Sequence, residues 1–179
     1  MKKAPLITLL GMVIVMTGCR SGSHGHYYND IPSTNYVPYL EEFNMVDSYG
    51  EDTYDYLYPA PAISPYVDNG LFEVYWFVDS VEDYIVEYRI NTSPSVEDSR
   101  LINSDICGAG LACDQDGLQF CQYFDDFTIT CDSNDNNDFY LIDISDMIFT
   151  VPQTLYLILQ VCDIDSYVCE YDYLPVLME

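Results

Sequence analysis

Leu71-Phe-Glu-Val-Tyr-Trp-Phe-Val78, followed by Tyr84-Ile-Val-Glu-Tyr-Arg-Ile90, decides the fold class. Both stretches are rich in β-branched and aromatic residues, and their partial alternation puts successive side chains on opposite faces of an extended strand. The polar segment Asp79-Ser-Val-Glu-Asp83 between them is turn material, so the pair reads as a hairpin. Working outward, Arg100 to Asn103, Gln119 to Phe124, Phe127 to Cys131, Phe139 to Ile144, Met147 to Val151, Leu155 to Cys162 and Val168 to Leu174 continue as short strands separated by Gly, Asn and Asp. No stretch holds a helical period over three turns. The pattern predicts an all-β, antiparallel β-sandwich over residues 59–179.

Upstream the texture changes. Residues 19–58 are acidic and Tyr-rich, with no lasting period of 2 or 3.6, and read as a largely disordered tether whose tyrosines are free to dock on the domain or on a partner. Residues 1–18 carry Lys2 and Lys3, an apolar run from Ala4 to Val15, and then Met16-Thr17-Gly18 before Cys19. Those are the parts of an export signal, too short to span a bilayer as a helix. The ending resembles the lipobox of bacterial lipoproteins, with Met16 where that family mostly has Leu. The resemblance implies that Cys19 is acylated, becomes the first residue of the mature chain and anchors it to a membrane. Arg20 stands where aspartate would signal retention at the inner membrane, so the resemblance also implies the outer membrane of a Gram-negative envelope. An ordinary signal peptide or an uncleaved anchor are the alternatives.

With residues 1–18 removed, the chain keeps three arginines and no lysine against 30 acidic residues, a formal charge of −27. Nucleic-acid binding rests on neutralising phosphates with Lys and Arg, so that class is excluded, as is polybasic attraction to anionic lipid. The acidity fits divalent cations, basic protein surfaces or a saline medium.

Six further cysteines, Cys107, Cys113, Cys121, Cys131, Cys162 and Cys169, all lie in the C-terminal half. An even number in an exported chain predicts disulfides. A hairpin turning at Asp165-Ser166 sets Cys162 opposite Cys169, about 4.5 to 5.5 Å apart at Cα, inside the range a disulfide needs. A second turn around Asp125-Asp126 does the same for Cys121 and Cys131, leaving Cys107 and Cys113 to close a Gly-containing loop. Zinc is disfavoured, because no C-x-x-C occurs and the only histidines, His24 and His26, are far away.

Several segments in order, Pro59-Ala-Pro-Ala-Ile63, Leu71 to Trp76, Tyr84-Ile-Val-Glu-Tyr-Arg89 and Val151-Pro-Gln-Thr-Leu-Tyr156 with Leu157 to Cys162, together resemble a fibronectin type III domain. The resemblance implies a Trp76 in the core and a corner tyrosine, Tyr156, whose hydroxyl bonds back to the backbone. It covers both ends of residues 59–179 and fails at 104–135, where four cysteines and extra length leave a different immunoglobulin-like topology open.

Asp132-Ser-Asn-Asp-Asn-Asn-Asp138 partly matches a calcium loop, with oxygens at Asp132, Asn134, Asn136 and Asp138 and a further acid at Asp143. It departs from that loop in lacking the glycine, the bidentate glutamate and the flanking helices, and Asn and Asp also simply favour turns. Asp114, Asp116, Asp163 and Asp165 offer similar pairs. Catalysis has little to build on: both histidines sit in the tether and each later cysteine has a partner. The reading is therefore a non-catalytic cell-envelope lipoprotein acting as a protein-interaction or adhesion-type module, with an envelope protein or glycan as its partner. A calcium-stabilised module for carbohydrate or protein, and a small hydrolase, are the alternatives.

Overall fold

The computed structural model describes residues 37–53, 60–111, 113–132 and 140–179. The export signal, Cys19, His24, His26 and the loop residues Asn134, Asn136 and Asp138 lie outside them. Among the described residues ten strands follow in order: β1 (Tyr39–Val46), β2 (Ala62–Ile63), β3 (Leu71–Asp79), β4 (Tyr84–Asn91), β5 (Arg100–Cys107), β6 (Asp116–Tyr123), β7 (Thr128–Cys131), β8 (Ile142–Asp143), β9 (Gln153–Asp163) and β10 (Cys169–Met178). They form two five-stranded sheets, ordered β1-β3-β6-β7-β8 and β2-β10-β9-β4-β5. Every pairing is antiparallel except the short one between β2 and β10. The all-β sandwich is thus the architecture.

Alternation builds the core. Phe72, Val74, Trp76 and Val78 of β3 face Tyr84, Val86, Tyr88 and Ile90 of β4 across the layers, joined by Leu155, Leu157, Leu159 and Val161 of β9. Trp76 meets Tyr88 edge-on, with ring centroids 5.5 Å apart. Such a pair contributes about 0.5–1.5 kcal/mol beyond the area it buries. Opposite Trp76 on β6 stands Gly117, whose missing side chain is the space the indole fills.

Four expectations are corrected. Strands β3 and β4 form no hairpin: β3 pairs with β1 and β6, β4 with β5 and β9, and segment 80–83 crosses between the sheets. Both strands bury one full face, and two such faces are satisfied by packing against each other rather than by lying side by side in one sheet. Next, residues 39–53 are not tether. β1 is an edge strand that buries Phe43 and Met45, and Asp47 ties its exit down by accepting backbone N–H bonds from Tyr49, Glu51 and Ala62, each at 2.9 Å. Thirdly, Met147 to Val151 is not a strand. Gln153 Oε1 accepts from the N–H of Phe149 and Thr150 while its Nε2 donates to the Met147 carbonyl, so a side chain takes the place of a ladder. Lastly, among the described residues the Tyr156 hydroxyl has no backbone partner; its ring packs edge-on against Tyr173 at 5.8 Å.

The middle of the chain sets the topology apart. From β5 the chain enters the first sheet beside β3, then runs outward through β7 to β8 at the edge. In an immunoglobulin sandwich the earlier of these strands is the edge one and the later lies beside the second strand. The departure falls within 104–135, where the resemblance fails.

Candidate interaction surface

All three expected disulfides are present, Cys107–Cys113, Cys121–Cys131 and Cys162–Cys169. The last two join residues directly opposite in their ladders, with Cα atoms 4.0 Å apart in each. Cys121–Cys131 points into the core. Cys162–Cys169 starts the outer face of the second sheet.

That face is laid out by register. Along β10 the outward residues are Cys169, Tyr171, Tyr173 and Pro175, opposite Cys162, Gln160, Ile158 and Tyr156 of β9. The next strand, β4, sets Ile85, Glu87, Arg89 and Asn91 beside them, and β5 adds Ile106, Ser104 and Leu101. Tyr171 (50%), Tyr173 (43%), Ile106 (48%) and Leu101 (39%) are exposed. Between them Ile158 is wholly buried, flanked by Tyr173 and Arg89. Arg89 is spent within the face: its Nε and Nη2 reach one Glu87 oxygen at 3.0 and 2.8 Å, and Nη1 donates to Ser99. The centre therefore carries a self-neutralised pair amid aromatic and aliphatic groups, on strands that cannot move independently. The signal for this face was already in the phase of β10, since Tyr171 and Tyr173 share the parity of Cys169 and the disulfide fixes which side that is.

Glu87 is the acid of this face, whereas Glu170, Asp143, Asp146 and Asp163 lie off it and are engaged. Glu170 and Asp172 alternate away from the tyrosines, and Glu170 accepts from the N–H of Leu40 at 3.1 Å. Asp143 and Asp163 accept from the backbone N–H of Ser145 and Ser166, at 2.9 and 2.6 Å, and these serines hold both carboxyls below their ordinary range. Asp146 is held low by Arg100, which reaches both of its oxygens at 2.8 Å and also bonds the Asp143 carbonyl. This fork fastens the edge strand β5 to the segment after β8. A lowered pKa keeps these carboxyls ionised, which suits structural acceptors and opposes what a general acid needs.

Only part of the calcium set can be placed. Asp143 pairs with Thr128 at the start of β7, whereas Asp132 follows its end, so about 13 Å of strand separates them at ~3.3 Å per residue. Asp143 and Asp132 therefore stand beside opposite ends of β7. The Asp132 carbonyl accepts instead from Asn103 and Gln119, stitching β5 to β6 and β7. Among the described residues no group of three His, Cys, Asp or Glu is placed to hold a metal.

Burial raises the Tyr84 hydroxyl to about 12, with nearby Asp114 and Asp116 adding to it, and that hydroxyl donates to the Asp114 carbonyl. Tyr84 is the point where three connections meet, since its register partners are Cys107 and Asp163. Among the described residues no helix is long and apolar enough to cross a membrane. Compared with known protein families, with curated proteins and with solved structures, the chain matches none.

Proposed function

We propose that this chain is an exported lipoprotein, acylated at Cys19 and held on the outer membrane, whose sandwich is a non-catalytic protein-interaction module. The observation that carries the binding role is the outer face of the second sheet, where Tyr171, Tyr173, Leu101 and Ile106 stand exposed around a charge pair that neutralises itself. Aromatic side chains on a rigid sheet supply contact area at little entropic cost. The surroundings are acidic, so the complementary partner is a protein with an apolar centre and a basic rim. A glycan reading would want carboxylates beside the aromatic row, and Glu170 and Asp172 turn away from it. Export is supported by Lys2 to Cys19 and by three disulfides, which persist in oxidising compartments.

Two measurements test this. Mass spectrometry of the protein from its native envelope should show an acylated Cys19 as the first residue; an unmodified Cys19 refutes the anchor. A photo-crosslinker at Tyr173 should capture a partner that one at Leu118, on the other sheet, does not. Binding of that purified partner should then weaken at least tenfold with Tyr171→Ser and Tyr173→Ser together, since interface aromatics commonly carry about 2 kcal/mol each. Equal capture at both positions, or undiminished binding by the double variant, refutes the face.

A further inference from the structure

We infer that the end of the sandwich where the chain enters β1 is a membrane-docking surface, which seats its loop tips in the interface of a zwitterionic bilayer. The inference rests on the proposed anchor at Cys19. Tyr39 opens β1 and pairs with Asp79, the last residue of β3. The three connections at this end, residues 80–83, 108–115 and 164–168, adjoin Tyr84 and its register partners, and the first two brace each other: Val78 N–H donates to the Gln115 carbonyl at 2.9 Å, Gln115 Nε2 reaches the Ser80 carbonyl, and Gly108 lies against Asp83. Each presents an apolar tip to solvent. Val81, Leu111, Tyr167 and Val168, with Tyr39, are 45–73% exposed.

Chain length names the occupant. Only residues 20–36 separate Cys19 from the first described residue, Val37. Fully extended they reach at most about 60 Å. A domain tethered so shortly meets the bilayer at about millimolar effective concentration, so contacts too weak to bind from solution suffice. Aromatic and aliphatic tips on polar loops are the groups that settle at the headgroup level. Charge selects the lipid. Asp79, Glu82, Asp83, Asp114 and Asp165 ring the same end and oppose an anionic surface while tolerating a zwitterionic one. Docked in this way, the tyrosine face of the second sheet stands at the side of the molecule, open to a partner.

Cys19 is the one cysteine outside the three disulfides, so the mature chain can be coupled through it to a maleimide lipid on phosphatidylcholine vesicles, whatever its native acylation. Trp76 is buried and gives a constant background. With acyl-brominated phosphatidylcholine, Tyr167→Trp should lose about half of its added emission, as an interfacial indole does. Phe149→Trp, at the opposite end before β9, should keep its own. Val81→Asp with Leu111→Asp should abolish the quenching at 167 while circular dichroism stays unchanged. Phosphatidylglycerol should weaken it at low salt, and added salt should restore it. Equal quenching at 149 and 167, none at 167, or no effect of the two aspartates overturns docking. The anchor itself stands or falls by the mass of native Cys19.

Discussion

Gly117→Ala tests the packing on which the core depends. A Cβ built at residue 117 lies 1.8 Å from Trp76 Cζ2, 2.1 Å from Cε2 and 2.4 Å from Cη2. Ordinary van der Waals contact begins near 3.4 Å, so the indole must retreat by more than an ångström. It has nowhere to go. Trp76 is 2% exposed and its far side meets Tyr88. Overpacking of this kind costs typically 1–3 kcal/mol, and the rigidity of both neighbours puts the expectation at about 3 kcal/mol. The melting temperature should fall by roughly 10 °C for a domain of this size. Urea unfolding followed by circular dichroism measures the loss directly. In a Trp76→Leu background the added methyl group meets a smaller side chain, so its cost should drop below about 1 kcal/mol, a coupling of ~2 kcal/mol. If Gly117→Ala lies within about 0.5 kcal/mol of the parent, or costs the same in both backgrounds, the reasoning is wrong.

Asp47→Ala strips three backbone N–H groups of their acceptor in a buried turn and should destabilise by about 3 kcal/mol in urea titration, with Asp47→Asn losing less. Replacing Cys162 and Cys169 by serine should cost about 2.4 kcal/mol from loop entropy, whereas alanines at Cys121 and Cys131 should cost more than their entropic ~2.7 kcal/mol because that bridge also fills core volume. The carboxyl of Asp146 is depressed in the folded protein, so its contribution is present above the unfolded carboxyl value near 3.9 and is lost as pH falls through the lower folded value. Arg100→Gln should therefore lower the urea midpoint at pH 7 and leave it closer to the parent's at pH 2.5.

Residues 71–78 and 84–90 announce their strands because both are rich in β-branched and aromatic residues and alternate in part, whereas Trp76 is legible as core through the resemblance to a fibronectin type III domain. Alternation specifies a face and not a neighbour. The short Asp79 to Asp83 segment therefore reads equally well as a hairpin turn or as a crossing between layers, and only packing decides. The cysteine pairs at 121/131 and 162/169 were readable because a tight turn forces register. β1 was hidden by a bulge between Leu40 and Glu42, which breaks the period and leaves Phe43 and Met45 as its only buried apolar pair. The tyrosine face needs four strands in register; sequence order supplies the pairs β4 with β5 and β9 with β10, but not the β4–β9 junction that joins them. Asp132 and Asp143 were grouped by spacing along the chain, whereas β7 holds them apart.

The three crosslinks close rings at 107–113, 121–131 and 162–169, one after another, none enclosing another and none joining the two sheets. As a polymer, the oxidised chain is a linear thread carrying three small beads. A single proteolytic nick in the connection 92–99 would leave two pieces with no covalent bond between them, β1 to β4 on one side and β5 to β10 on the other. Such a nicked protein should run as one particle in native chromatography and as two bands in denaturing electrophoresis without reductant.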